Sequence, residues 1–181
     1  MKTRISLIIT FLLLLSFGCS TITVNYDYDK EADFSSLKQY DWLESSQVIR
    51  EDALLEKRIK NAIAMNLTSK GFVNSTEQPD FLIAIQGLRE LKRDVVDYGY
   101  TGHGRYTGYD RYWQDHHVAV FEYEMGTVII DFISTATKEL IWRGTGTGII
   151  EPDLYPQARD KRINDAIFRL FENFPPIEPV K

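Results

Sequence analysis

The feature that most limits how this chain can fold is a period-two alternation of apolar and polar residues. In residues 22–28 the apolar positions Ile22, Val24 and Tyr26 alternate with threonine, asparagine and aspartate. Because successive side chains of a β-strand point to opposite faces, this pattern predicts a strand with one buried face. The predicted strands are residues 22–28, 38–43, 118–123, 127–133 and 139–150, with residues 81–88, nearly all apolar, as a central strand buried on both faces.

Two further segments carry apolar residues at helical spacing. Residues 52–70 have a candidate N-cap in Asp52 and a helix-ending glycine at Gly71. Residues 163–174 keep the same spacing until Pro175 ends the helix. The chain therefore predicts an α+β fold, a mostly antiparallel sheet with two amphipathic helices packed on one face, in the order ββα-βββ-α.

The segments 127–133 and 139–150 are predicted to pair as a hairpin. If Phe132 faces the core with Trp142, parity places Asp131 and Arg143 together on the opposite face. A carboxylate and a guanidinium opposite each other on neighbouring strands form a cross-strand ion pair. We interpret Asp131 and Arg143 as a structural ion pair rather than as part of a catalytic site.

Length and composition fit one globular domain. The 181 residues are a usual domain length, and 44% hydrophobic with 26% charged residues excludes a disordered chain and a multispan membrane protein. The net charge of -5 disfavours nucleic acid as a partner, because a phosphate backbone attracts basic surfaces. With one cysteine, neither an intrachain disulfide nor a cysteine-based zinc cluster is available.

The beginning of the chain has the layout of a secretory signal peptide. Lys2 and Arg4 precede an apolar stretch over residues 5–15, and small residues follow. The apolar stretch is shorter than the roughly 18–20 residues that a membrane-spanning helix needs. We therefore predict a cleaved signal peptide over residues 1–18 and a single periplasmic domain over residues 19–181.

The only cysteine, Cys19, directly follows this segment. Its position resembles that of a bacterial lipoprotein signal, in which the cysteine thiol is lipidated with chains such as palmitate and becomes the first mature residue. The resemblance implies that lipid on Cys19 anchors the protein to a membrane. Ser20 follows instead of an aspartate. By resemblance to sorting patterns this favours the cell outer membrane, with the domain in the periplasm.

Several longer motifs resemble one family. They are YDYDKEADFSSLKQYDWL at residues 26–43, KGF at 70–72, PDFLIAI at 79–85, GTVIIDFISTATKELIWRGTGTG at 126–148 and the FPP that ends at Pro176. Together they resemble a bacterial envelope lipoprotein family catalogued as domain of unknown function 4136. The resemblance covers nearly the whole mature chain and implies an envelope lipoprotein with an α+β fold. It supplies no activity and no catalytic residue.

Residues 98–117 are rich in tyrosine, glycine and histidine. Tyrosines offer large amphipathic contact surfaces and glycines let a backbone approach a ligand, as in many recognition loops. We interpret this segment as a binding loop for a glycan, a peptide or an envelope protein, and the alternative is a solvated excursion between two strands. The candidate binding residues are Tyr98, Tyr100, His103, Tyr106, Tyr109, Tyr112 and Trp113.

The same segment holds all three histidines. His103, His116 and His117 with Asp110 or Asp115 offer ligands that suit zinc. Adjacent histidines on a strand point to opposite faces, however, so we predict no metal site and no cofactor.

Motifs for catalysis are not found in the sequence. No G-x-S-x-G, P-loop or H-E-x-x-H pattern occurs. Gly144, Gly146 and Gly148 lie inside a predicted strand, where we expect them to allow close packing or a bulge. The sequence favours a lipid-anchored envelope protein of non-enzymatic binding or structural role. The alternatives are an envelope hydrolase that uses residues 98–117 and an accessory lipoprotein of a transport or assembly complex.

Overall fold

The described part of the chain forms one sheet of six strands with three helices, an α+β fold as its sequence predicts. The structure is a computed structural model that describes residues 22–97 and 118–176. The sheet order is β1-β6-β5-β4-β2-β3. The elements in chain order are β1 (Thr23–Tyr28), β2 (Gln39–Trp42), α1 (Gln47–Arg50), α2 (Ala53–Ser69), β3 (Val73–Asn74), β4 (Phe81–Asp97), β5 (Val118–Ser134), β6 (Leu140–Ile149) and α3 (Pro156–Phe171).

The strand directions make the sheet mixed. Antiparallel pairing joins β1 to β6, β6 to β5 and β5 to β4. Strand β2 instead runs parallel to both β3 and β4. Parallel strands need a crossover connection, and α1 and α2 supply it because they lie between β2 and β4 in the chain. The sheet is therefore antiparallel over its larger part and parallel at the β2 side.

The two longest strands extend further than their hydrophobic patterns indicate. Strand β4 continues to Asp97 instead of ending at residue 88. Strand β5 is continuous through Gly126, so the two strands predicted on either side of this glycine are one. The register between β4 and β5 has no shift over its whole length. Residues 89–97 leave the core, and their charged side chains therefore hide the strand from a burial pattern.

Two small elements and one helix start also differ from the sequence prediction. Helix α1 has four residues and β3 has two, too few to show a period. Helix α3 begins at Pro156 instead of residue 163, because its first turns are polar and a proline suits the first helical turn. The observed order is ββααββββα, against ββα-βββ-α from the sequence.

The two long helices pack on the same face of the sheet. Asp52 caps α2, since its carboxylate accepts a hydrogen bond of 2.9 Å from the backbone N–H of Leu55. Both helices bury apolar residues against the sheet, namely Ile59, Ala62, Ile63 and Leu67 of α2 and Ile167, Leu170 and Phe171 of α3. Within the described residues no helix is long and apolar enough to cross a bilayer.

An aromatic cluster holds the C-terminal end of α3 against the sheet. The ring of Trp142 on β6 lies 4.8 Å from that of Phe132 and 5.2 Å from that of Phe171, between centroids. The ring of Phe174, just after α3, lies 5.0 Å from that of Phe132. All four rings are buried. The cluster therefore fixes one end of α3, and the site described next lies toward its other end.

Candidate functional site

A cavity lies between the helices and the sheet, beside the aromatic cluster. Its volume is about 290 Å³. The floor is the helix-facing side of β4, β5 and β6, and the walls come from α1, α2 and α3. Ile22, at the start of the described chain, also lines the cavity, and so do Ile150, Glu151, Pro152 and Leu154; we call this part of the lining the rim. Concave apolar sites of this kind are the usual places where proteins bind small ligands.

Glycines form much of the cavity floor. Gly87, Gly126, Gly146 and Gly148 take positions on the face that elsewhere carries large core side chains. They lie close together across the sheet, since Gly126 pairs with Gly148, and Val128 pairs with both Gly87 and Gly146. Glycine inside a strand often marks a place where another group approaches the backbone. Here side chains pack closely on three of them, since a Cβ would lie 2.7 Å from Ile49 at Gly87, 3.1 Å from Ile150 at Gly126 and 3.0 Å from Ile22 at Gly148, and open space remains above Gly146.

On β6, the open space of the cavity begins between Gly144 and Gly146. A Cβ added at Gly144 would lie 2.8 Å from Cδ2 of Leu170, so α3 contacts the sheet at that position. A Cβ added at Gly146 would have no heavy atom within 4 Å. At Gly148 the nearest atom is Cγ1 of Ile22, at 3.0 Å. Close packing, expected for all three glycines, therefore occurs at Gly144 and Gly148, whereas Gly146 faces the cavity.

The walls of the cavity are aliphatic. Helix α1 lies close to the floor, because a Cβ at Gly87 would lie 2.7 Å from Cδ1 of Ile49. The larger α2 and α3 stand on either side and present branched side chains toward the space between them. The apolar wall residues are Val48, Ile49, Leu55, Ile59, Ile163 and Ile167. Such a lining offers contacts to hydrocarbon and few hydrogen bonds to a polar ligand.

The lining also includes five charged side chains, and we include them in the rim. Arg162 donates hydrogen bonds to the carboxylate of Glu151, at 2.6 Å, and to the carbonyl of Ile149, at 3.0 Å. Arg159 donates to the carbonyl of Pro152 at 3.1 Å. The other carboxylate at the rim, that of Asp52, caps α2, so both acidic groups already have N–H partners. Three arginines against two carboxylates leave the rim cationic, and its charged residues are Asp52, Arg89, Glu151, Arg159 and Arg162.

The size of the cavity limits what it holds. An engineered protein cavity of about 150 Å³ accommodates benzene. The present cavity, at about 290 Å³, is nearly twice as large. By this comparison it holds a hydrocarbon of roughly ten to twelve carbon atoms.

The sequence-predicted anchor and binding loop cannot be compared with this geometry. Cys19 and the residues Tyr98, Tyr100, His103, Tyr106, Tyr109, Tyr112 and Trp113 lie outside the described residues. Within residues 22–97 and 118–176 no group of three or more His, Cys, Asp or Glu side chains is placed to hold a metal ion.

Asp131 and Arg143 meet on the sheet face opposite the helices. The guanidinium of Arg143 donates two hydrogen bonds to the Asp131 carboxylate, at 2.6 and 2.7 Å. The side-chain amide of Gln86 donates a third, at 2.8 Å. The Asp131 side chain is only 5% exposed and that of Arg143 is 47% exposed. Hydrogen bonding with Asp131 raises the pKa of Arg143 above its ordinary value. This arrangement ties β4, β5 and β6 together.

Removing the cation from this pair should cost more than removing the anion. We expect Arg143→Met to lower the free energy of unfolding by about 1.5–3 kcal/mol, because it leaves a buried carboxylate with only the Gln86 amide. Asp131→Asn should cost less, since water reaches the half-exposed guanidinium. Urea denaturation of both variants measures the difference. A smaller loss for Arg143→Met than for Asp131→Asn would contradict the assigned roles.

The cavity has a sequence signal that periodicity arguments missed. Glycine occurs at helix-facing positions of three neighbouring strands, at Gly87, Gly126 and Gly146. Each glycine alone is compatible with a bulge or close packing. Their alignment becomes visible only once the register of β4, β5 and β6 is known.

A comparison with one solved structure supports the fold. The chain resembles a PDZ domain protein from Parabacteroides distasonis ATCC 8503, with 16% identity and a TM-score of 0.53, over 95% of this chain and 40% of that one. The chain thus spans less than half the length of that protein. It also aligns with the PelC dodecamer protein from Paraburkholderia phytofirmans, with 12% identity and a TM-score of 0.47, over 83% of this chain and 94% of that one. No curated protein is significantly similar in sequence.

The fold and the cavity define a class of protein, an α+β domain with an apolar, glycine-floored cavity between its helices and its sheet. The family can be stated from the sequence match. The model of the family described as domain of unknown function (DUF4136) matches residues 24–176, and the chain belongs to this family. The resemblance seen in the sequence motifs is therefore confirmed.

Proposed function

We propose that this protein is a non-enzymatic lipoprotein of the bacterial cell envelope that binds the hydrocarbon chain of an anionic amphiphile. Lipid on Cys19 anchors it in the outer membrane, and the domain faces the periplasm. The observation that carries the binding function is the cavity of about 290 Å³ between the helices and the sheet. Its aliphatic walls and glycine floor suit a hydrocarbon chain.

The lining supports an apolar ligand because its polar groups are already satisfied. Inside the strands the backbone N–H and C=O groups of the floor pair with neighbouring strands. The wall side chains are aliphatic. Each methylene that enters such a space gains about 0.8 kcal/mol by leaving water. A polar ligand of the same size would lose its hydration without gaining partners.

The rim supports an anionic head group. Arg89 and Arg159 have no carboxylate partner within hydrogen-bond distance among the described residues, whereas Glu151 pairs with Arg162. An anion at the rim would therefore meet cationic side chains that are not already neutralised. Guanidinium groups bind carboxylates and phosphates through two parallel hydrogen bonds. A fatty acid or a phospholipid offers such a head group next to its chain.

The anchor is supported by the residues that precede the described chain. Cys19 follows a basic start and a short apolar stretch and is the only cysteine. It lies three residues before Ile22, which lines the rim of the cavity. Three residues span at most about 11 Å between Cα atoms. A lipid on Cys19 would therefore hold the rim close to the membrane surface.

Replacing the cysteine tests the anchor. We expect Cys19→Ala to remove the acyl mass and to move the protein out of the outer-membrane fraction, because no other thiol in the chain can accept the lipid. Intact-mass measurement and membrane fractionation read the result. A matched Ser20→Ala variant should keep both the added mass and the fractionation of the unchanged protein. A wild-type protein without acyl mass would refute the anchor.

Binding of a graded series of ligands tests the cavity. The chain from Ser20 onward, purified without detergent, is titrated with an apolar fluorescent probe and then with saturated fatty acids of eight to sixteen carbons. We expect displacement at about 10–100 μM, with affinity rising to roughly ten to twelve carbons and then levelling. The corresponding alcohols should bind more weakly because they lack the charge. Absence of saturable binding would refute the proposal.

A further inference from the structure

Beyond the cavity, β4 and β5 continue as a two-stranded ribbon. We define the ribbon as residues 89–97 of β4 and residues 118–125 of β5. Strand β6 pairs with β5 only as far as Met125, and β2 pairs with β4 only as far as Ile83. Beyond Met125, and beyond the hydrogen bond of 2.8 Å that the Ile150 N–H donates to the Glu124 carbonyl, the ribbon has no neighbouring strand on either side in the described part of the chain. An isolated two-stranded ribbon is at best marginally stable in water, and its free edges and faces need a partner.

The ribbon exposes an unusual amount of apolar surface. Six aliphatic or aromatic side chains on it are exposed, from 38% at Val96 to 66% at Val95. By the register, Val95 lies opposite Val120, and both point to the same side of the sheet as the cavity floor. Four exposed residues share this side, namely Leu91, Val95, Val118 and Val120. The apolar face of the ribbon thus continues the floor of the cavity.

The ribbon projects from the end of the sheet at which β1 begins. Thr23 pairs with Thr147, Thr147 with Thr127, and Thr127 with Leu88. The residues before Thr23 and the residues after Leu88 therefore lie on the same side of this row. At about 3.3 Å per residue the ribbon reaches roughly 27 Å from Arg89 to Asp97. The segment from Ile22 back to Cys19 reaches only about 11 Å.

We infer that the cavity-side face of the ribbon lies on the surface of the membrane that carries the anchor. This inference rests on the proposed anchoring at Cys19. With an anchor closer to the sheet than the end of the ribbon, the ribbon meets the lipid surface before the rest of the described residues do. The exposed side chains of Leu91, Val95 and Val120 then find apolar surroundings between the lipid head groups. The rim of the cavity faces the same surface.

The charges of the ribbon fit a position among head groups and not in the hydrocarbon. On the cavity side Arg93 forms an ion pair of 2.6 Å with Glu122. On the other side Lys92 pairs with Glu90 at 2.9 Å. Ion pairs of this kind remain hydrated at the interface but are costly in the bilayer centre. The ribbon therefore lies along the surface without crossing it.

A fluorescent label on the ribbon tests the inference with the lipid-anchored full chain. Because the thiol of the native cysteine carries the lipid, only an introduced second cysteine reacts with the label. Val120→Cys places the label on the ribbon, and Ala136→Cys places it in the exposed turn between β5 and β6 at the opposite end of the sheet. Each labelled protein is reconstituted in phosphatidylethanolamine and phosphatidylglycerol vesicles. Quenching is measured with iodide in water and with a lipid that carries a nitroxide near its head group.

We expect the label at residue 120 to be quenched at least twofold more by the nitroxide lipid than the label at residue 136, and to be shielded from iodide. Val95→Cys, on the facing strand, should give the same result and guards against a local effect of one substitution. Equal quenching at residues 120 and 136 would overturn the inference. Shielding from iodide without quenching by lipid would indicate a protein cover and would also overturn it.

The outcome is separable from that of the proposed function. Loss of the anchor is detected by mass, and loss of ligand binding is detected on the unanchored chain, neither of which depends on the ribbon label.

Discussion

Replacing Trp142 with alanine should lower the free energy of unfolding by about 3–5 kcal/mol, the range found for deleting a buried tryptophan. Its side chain is 1% exposed and its ring contacts Phe132, Phe171 and Phe174. Truncation leaves a void where β6, β5 and the end of α3 meet. Chemical denaturation measures the loss, with the dependence of the unfolding free energy on denaturant concentration taken as unchanged. Because a domain is stable by only about 5–15 kcal/mol, we expect this loss to lower the denaturation midpoint by a large fraction of its value.

Two controls show whether the loss comes from the void. Nε1 of Trp142 is buried and has no hydrogen-bond partner among the described residues. Trp142→Phe removes this unsatisfied donor while keeping an aromatic ring, so it should cost much less than alanine. Tyr155→Ala removes an aromatic ring that is 80% exposed and should change stability by less than about 0.5 kcal/mol. A Trp142→Ala midpoint close to that of the unchanged protein would show that the ring is not a core anchor.

Replacing Gly146 with leucine should abolish ligand binding and keep the fold. A Cβ at this position meets no heavy atom within 4 Å, so the new side chain occupies the cavity that a hydrocarbon ligand needs. Burying the leucine should leave stability unchanged or raise it by about 1 kcal/mol, because apolar surface fills an apolar space and strand glycine is unfavourable. We expect affinity for the best fatty acid to fall at least tenfold in the displacement titration.

The two neighbouring residues on β6 provide matched controls. Thr145 points to the opposite face of the sheet, so Thr145→Leu should leave ligand affinity unchanged. A Cβ at Gly144 would overlap the ring of Trp142 and lie 2.8 Å from Cδ2 of Leu170, so Gly144→Leu should destabilise the fold by about 1–3 kcal/mol or more. Unchanged affinity in a folded Gly146→Leu variant would place the ligand elsewhere. Equal loss of affinity in Thr145→Leu would indicate an indirect effect.

Local patterns in the sequence were sufficient for much of the fold. The strand predicted at residues 38–43 is present as β2, whose Tyr40 faces the core, and helical spacing after Asp52 identified α2 with its N-cap. These patterns are readable because strand and helix periods are set by backbone geometry alone. Parity within one hairpin likewise placed Asp131 opposite Arg143, since neighbouring strands share a fixed alternation.

The family was also readable from the sequence, because each of its motifs is a continuous segment of the chain. The match over residues 24–176 agrees with the motifs at residues 26–43 and 126–148. The proposed anchor at Cys19 comes from the sequence alone and stays a proposal.

Tertiary structure alone decided the site. A glycine in a strand has the same local signature whether a helix packs on it, as at Gly144, or a cavity lies above it, as at Gly146. The difference depends on where α3 diverges from the sheet, and the aromatic cluster around Trp142 sets that point through contacts distant in sequence. The β4 half of the ribbon, residues 89–97, was hidden for a related reason, because β4 and β5 keep pairing after burial ends and hydrogen bonding between backbones leaves no mark on side-chain hydrophobicity.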